Sequence, residues 1–143
     1  MTDRLNITLN KLQHVGIPVT DIAVSAQFYN RFGFKNVMQS PFTFKGDTGI
    51  CIMMQHKDIM IELYQMPAKQ LDEIRSRNNG HIDHIAFDVD EIDAVYATLK
   101  ADGNIRLLEE APVSLPFWKH GCKYFNILGP DNERLKFNEI LKG

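Results

Sequence analysis

The feature that most constrains the fold is an internal repeat. The stretch HVGIPVTDIAVSAQFYNRFGF, from His14, lies ungapped over HIAFDVDEIDAVYATLKADGN, from His84. His14 falls on His84, Val19 on Val89, Ile22 on Ile92 and Gly33 on Gly103. Each copy opens with strand-like alternation. Val15, Ile17 and Val19 share one face, opposite Leu12, His14 and Gly16. Ile85, Phe87 and Val89 repeat the pattern, opposite Ile82, His84 and Ala86. A helix follows in each, with Thr20 and Asp90 expected as N-caps, acidic Asp21 and Glu91 next, and a terminal glycine suited to the left-handed position. Three strand-like segments then complete each half: FKNVMQS, GICIMMQ and IMIELYQ, against IRLLEEA, CKYFNIL and ERLKFNEI. The chain therefore reads as β-α-β-β-β twice. The two modules run over about 10–66 and 81–141 within one domain, 10–143, joined by a polar linker, 67–80, with a short helix before NNG.

A chain of 143 residues, 44% hydrophobic and 24% charged, can bury a core without disulfides or a structural metal. A net charge of −2 and the lack of a polybasic run argue against nucleic acid or a membrane surface as partner. No apolar run approaches the roughly 20 residues of a membrane span. MTDRLNITLN lacks the apolar region of a signal peptide, and the two cysteines, Cys51 and Cys122, lack metal or redox spacing. The expectation is a cytoplasmic protein.

Polar residues that interrupt the strands mark a candidate site. In IMIELY, Ile59, Ile61 and Leu63 form the face toward the helix, and Met60, Glu62 and Tyr64 the other. In RLKFN, Leu135 and Phe137 oppose Arg134, Lys136 and Asn138. His14, Glu62, His84 and Lys136 thus stand one per strand at repeat-related places. If both sheets curl around a shared cavity, all four point into it. Two imidazoles and a carboxylate are donors for Zn, Ni, Fe, Co or Mn, and three ligands leave positions for water and substrate. Taken singly, each residue has a structural explanation as good as a functional one; the repeat is what links them. Glu139 has the wrong strand parity for the cavity. His81 has opposite parity to His84 and reads as structural, and His56 and His120 fall at turns. APVSLPFWKHG reads as a loop carrying Phe117 and Trp118 over the cavity mouth, with SPFTFKGDTG in the matching place of the first module.

LQHVGIPVTDIAVSAQFYNRFGF, IMIELYQ, HIDHIAFDVDEIDAVYATLKADG and YFNILGPDNERLKFNEI together resemble the vicinal oxygen chelate superfamily, and within it the glyoxalase I (lactoylglutathione lyase)-like proteins. The resemblance implies an α+β fold of paired βαβββ modules whose curled mixed sheets form an open, barrel-like cavity, usually in a homodimer. It implies a divalent metal held by His14, Glu62 and His84; the candidates for placing a small-molecule substrate are Phe117, Trp118, Tyr64 and Asn138, read from the loop and the strand faces. The fourth ligand of that family, a glutamate that also moves the substrate proton, falls on Lys136. A protonated ammonium cannot ligate and is repelled by a cation. Lys136 then swings aside, pairs with Glu62 in a metal-free pocket, or acts as a base or an anchor for an anionic substrate. Three functions follow. One is a metal-dependent lyase or isomerase in which Glu62 and Lys136 take part in catalysis. The second is a metal-free drug- or antibiotic-binding protein, and the third an Fe(II) extradiol-type dioxygenase. A vestigial site in a dimeric interaction module is the remaining possibility.

Overall fold

The computed structural model describes residues 6, 10, 12–78, 84–116 and 118–143. His81 and Phe117 lie outside the described residues. In the first half, β1 (Val15–Pro18) leads to α1 (Ile22–Asn30), then β2 (Lys35–Phe44), β3 (Asp47–His56) and β4 (Ile59–Gln65). A 3-10 turn (Ala68–Gln70) and α2 (Leu71–Arg75) occupy the connection. The second half has β5 (Ile85–Asp88), α3 (Ile92–Asp102), β6 (Arg106–Leu107), β7 (Val113–Leu115), β8 (Cys122–Leu128) and β9 (Arg134–Ile140), one strand more than the first, because part of APVSLPFWKHG, expected as a loop, forms β7 by pairing with β8.

The strands sort by half into two curled mixed sheets, an α+β fold. One runs β1-β4-β3-β2; the other runs β5-β9-β8-β6, with β7 also on β8. The register makes the repeat concrete. β1 lies parallel to β4 with Gly16 opposite Glu62, and β5 lies parallel to β9 with Ala86 opposite Lys136. Glu62 and Lys136 are therefore equivalent positions.

A second equivalence sits at the helix starts. The Ile22 N–H donates to Gln65 Oε1 at 2.8 Å, and the Ile92 N–H donates to Glu139 Oε1 at 3.0 Å. A side chain from the end of the last strand thus satisfies a first-turn donor that its own helix leaves open. Glu139 is committed to this role on the helix side of its sheet. Gln65→Ala and Glu139→Ala should each lower stability by about 1 kcal/mol, like loss of an N-cap. Matched urea denaturation curves check this, and a shift for only one of the pair would refute the equivalence.

Two further local expectations are corrected. The N-caps sit one residue later than Thr20 and Asp90. Asp21 caps α1 by accepting the Val24 N–H at 3.2 Å, and Glu91 takes the cap position of α3 without a side-chain bond. Thr20 is instead held by Asp131, which accepts both its N–H and its hydroxyl. The strand expected over IRLLEEA shrinks to Arg106–Leu107. Its ladder to β8 stops because the Glu109 carboxylate, not a backbone carbonyl, receives the Asn126 N–H at 2.6 Å and the Asn126 side-chain amide at 2.8 Å.

One core spans both halves. Ile17, Ile61 and Leu63 from the first sheet and Phe125, Ile127, Leu135 and Phe137 from the second belong to the same buried cluster, with Tyr29 of α1 and Tyr96 of α3. Phe32 and Phe34 reach across the seam to Phe137 and Phe87. Arg31 pairs with Asp102 across the same seam. Among the described residues no helix is long and apolar enough to cross a membrane.

Candidate functional site

Since both sheets turn their apolar faces into one core, their polar faces do not meet within the chain. The first sheet carries His14, Glu62 and Tyr64. His14 Nδ1 hydrogen-bonds Gln13 Oε1 at 3.0 Å, and its Nε2 lies 3.8 Å from Glu62 Oε1. Glu62 Oε2 accepts from the Cys51 thiol at 3.3 Å. Burial, then the Glu62 hydrogen bond and charge, push that thiol up to about 11, so at neutral pH it is a donor and not a thiolate. Burial also raises the Tyr64 hydroxyl, against the opposing charge of Arg77.

Cys51, Glu62 and Tyr64 open onto a cavity of about 520 Å³ that Pro41, Phe42 and Phe44 also line. Its walls come from the first sheet and the segment just after it. SPFTF lines it from within β2, which continues to Phe44 before the turn at Lys45 and Gly46. The strand parity of IMIELY places Glu62 and Tyr64 there. Cys51 is opposite Tyr64 in the β3–β4 register and so shares the face. The sequence offered that pairing only once the hairpin register was known.

The second sheet carries His84, Lys136 and Asn138. The Lys136 ammonium lies over the Tyr124 ring, 4.7 Å from its centroid. Glu62 is engaged by His14 and Cys51, and among the described residues no Lys136–Glu62 ion pair forms. Tyr124 is opposite Asn138, and Asn126 opposite Lys136, so these four share one face. Asn126 is buried, and its Oδ1 has no hydrogen-bond partner within the protein. Tyr124, Asn126 and Glu109 were not singled out from the sequence, because only the β8–β9 register brings them to Lys136.

The structure therefore joins His14 to Glu62 and groups Lys136 with Asn138, but brings neither His84 nor Lys136 to the first pair. Among the described residues no three His, Cys, Asp or Glu side chains cluster tightly enough to hold a metal. Trp118 is 67% exposed and lines a depression with Pro116, His120 and Leu141.

Paired βαβββ halves with polar groups at matching strand positions define a class, and residues 11–137 match the model of the Glyoxalase/Bleomycin resistance protein/Dioxygenase superfamily; the chain belongs to it. It is 30% identical over 131 residues to the uncharacterized protein YwbC of Bacillus subtilis (strain 168), covering 89% of this chain and 95% of YwbC. The crystal structure of the glyoxalase family protein from Enterococcus faecalis superposes with a TM-score of 0.70 at 20% identity, over 90% of this chain and 97% of that one. The fosfomycin resistance protein FosX from Listeria monocytogenes does so with a TM-score of 0.62 at 16% identity, over 95% of each. At such identities the structural likenesses speak for the fold.

Proposed function

We propose that the protein is a glyoxalase-like, metal-dependent lyase or isomerase of small molecules, working as a homodimer. The observation that carries the reading is the His14–Glu62 pair. Gln13 fixes the His14 tautomer that presents Nε2, as a second-sphere partner does for a ligating imidazole. The 3.8 Å gap to Glu62 is shorter than two ligand bonds of about 2.0–2.2 Å end to end, so one ion can touch both. The donor chemistry fits a divalent transition metal, but two donors in one chain are too few. A second copy that sets its second sheet against this cavity would add His84 and Lys136 of the partner subunit. Bound there, the metal would supply Lewis acidity toward vicinal oxygens of a substrate.

The chain's own residues then have definite tasks. His14, Glu62 and the partner's His84 hold the ion. The Cys51 thiol fixes the rotamer of Glu62 by donating to Oε2. Phe42, Phe44 and Tyr64 exclude water from the substrate's apolar part. Lys136 of the partner subunit, resting on Tyr124, supplies positive charge for an anionic or enolising oxygen.

Elemental analysis of untagged protein tests the proposal. The wild type should carry close to one divalent transition metal per site, and His14→Ala and His84→Ala should each lose it. Mixed refolding of these two variants in equal amounts should restore metal to one site in each heterodimer, about a quarter of all sites when copies pair at random. In the heterodimer one site has both histidines and the other has neither. No restoration would refute the shared site. A second reading, a metal-free binding protein of the same fold, draws on the ammonium at the position equivalent to Glu62. A wild type that holds no metal yet binds aromatic compounds in the Glu62 cavity would favour it.

A further inference from the structure

A second cavity lies on the other side of the first sheet, at the seam between the modules. Its volume is about 160 Å³. Tyr29, Phe34, Ile127, Leu135 and Phe137, all buried, form its floor. Phe32, Ile59, Phe87 and Val89, partly exposed, form its rim with His56 and Asp88. It shares no lining residue with the Glu62 cavity. The cavity opens to solvent at this rim, so a small molecule can enter it.

The walls say what fits. The ring centroids of Phe34 and Phe87 lie 6.0 Å apart, those of Phe87 and Phe137 5.9 Å, and those of Phe32 and Phe137 5.9 Å, all tilted. These are the spacings at which aromatic rings attract by edge and face, so a further ring among them continues the same packing. The floor offers a water molecule too few polar partners to be a favourable site. An apolar cavity of about 150 Å³ admits benzene, which sets the scale at a single ring. The polar groups stand only at the rim. The Asp88 carboxylate can accept from a hydroxyl or N–H there. His56 is held in place by the Gly33 carbonyl, 3.3 Å from Nδ1, and by the Phe34 ring.

We infer that this seam is a binding site for a compact, uncharged, single-ring aromatic molecule with one polar substituent. Because the rings come from both modules, an occupant would also tie the modules together. The site is independent of any metal and of the lyase reading.

Phenol is the probe. In methyl-labelled protein, titration should produce saturable ring-current shifts at Ile59, Val89, Ile127 and Leu135, with a Kd on the order of 1 mM, reasonable for so small a ligand. Val89→Phe, which places a ring in the cavity from its rim, should weaken binding about tenfold or more. Circular dichroism confirms that the variant folds; if it does not, Ile59→Phe is read in its place. Saturable shifts lost in the filled variant establish the site. No saturable shift, shifts centred on Cys51 and Tyr64, or binding that survives the filled variant would overturn it.

Discussion

Glu133→Ala is expected to destabilise the protein by about 2–5 kcal/mol, a value set by the donors it strands. Glu133 is buried in the turn before β9, and its carboxylate accepts from the Tyr29 hydroxyl at 2.8 Å and from the Asp131 N–H at 2.8 Å. The first bond joins the two modules, since Tyr29 lies on α1. Asp131 adds the bonds to Thr20, so one turn clasps both the approach to that helix and its last turn. Alanine leaves a buried hydroxyl and a half-buried N–H without acceptors and opens a cavity beside Gly129. The cost should appear as a lower urea midpoint. A loss below about 1 kcal/mol would show that water replaces the carboxylate without penalty.

The same residue predicts a pH dependence of definite sign. Burial raises the Glu133 carboxyl above its usual 4.5, opposed by the donors from Tyr29 and the backbone and assisted by the Asp131 charge. The native state thus holds this proton more tightly than the unfolded chain. The stability it contributes is fully present below about 4.5 and is lost as pH rises through the higher native value. Glu133→Gln removes the titration. Its Oε1 can still accept the Asp131 N–H, and its amide can donate to the Tyr29 oxygen. The variant should therefore gain on the wild type as pH rises from 4.5 toward neutral. A gap that stays constant over that range would assign the acid behaviour to another group.

The sequence carried the repeat because local patterns encode it. Alternation set the strands, and the equivalence of Glu62 with Lys136 followed from aligning IELYQ with LKFNE, which the Gly16 and Ala86 pairings reproduce. IMIELYQ and CKYFNIL match β4 and β8 residue for residue. What stayed hidden depends on distant partners. Pro130, Asp131 and Asn132 are turn residues by type, yet the side chains of Asp131 and Glu133 reach Thr20 and Tyr29, more than a hundred residues earlier, and nothing local signals that. Thr20 lost its capping role to the same contact. IRLLEEA reads as a strand by composition, and only the Glu109 carboxylate on Asn126 shows why it stops. How the halves face one another is likewise a matter of which surfaces bury together. The apolar faces decide it, and they turn His14 and Glu62 away from His84 and Lys136 of the same chain.

Lys136→Glu should raise affinity for a divalent metal at least about a hundredfold. Two effects of the same sign combine. An ammonium that repels a cation disappears, and an anionic oxygen donor takes its place; each alone is worth more than about 1.4 kcal/mol, a factor of about ten, at partly exposed separations of a few ångström. The new carboxylate would stand opposite Ala86 as Glu62 stands opposite Gly16, so a twofold pairing of copies presents two histidines and two glutamates. The loss of the contact with Tyr124 costs the unloaded protein only about 0.5–1 kcal/mol, as its ammonium is partly exposed. The variant's melting temperature should thus change little in chelator and climb with added Ni²⁺ or Zn²⁺, by about 2.7 kcal/mol of stabilisation at a hundred times Kd. Competition against a chromophoric chelator reads the affinity directly. Tighter binding that vanishes on adding His14→Ala would place the new donor in the same site as His14. An unchanged affinity would mean that the four positions never converge on one ion, and Lys136 would then belong to a cationic pocket for an anionic ligand.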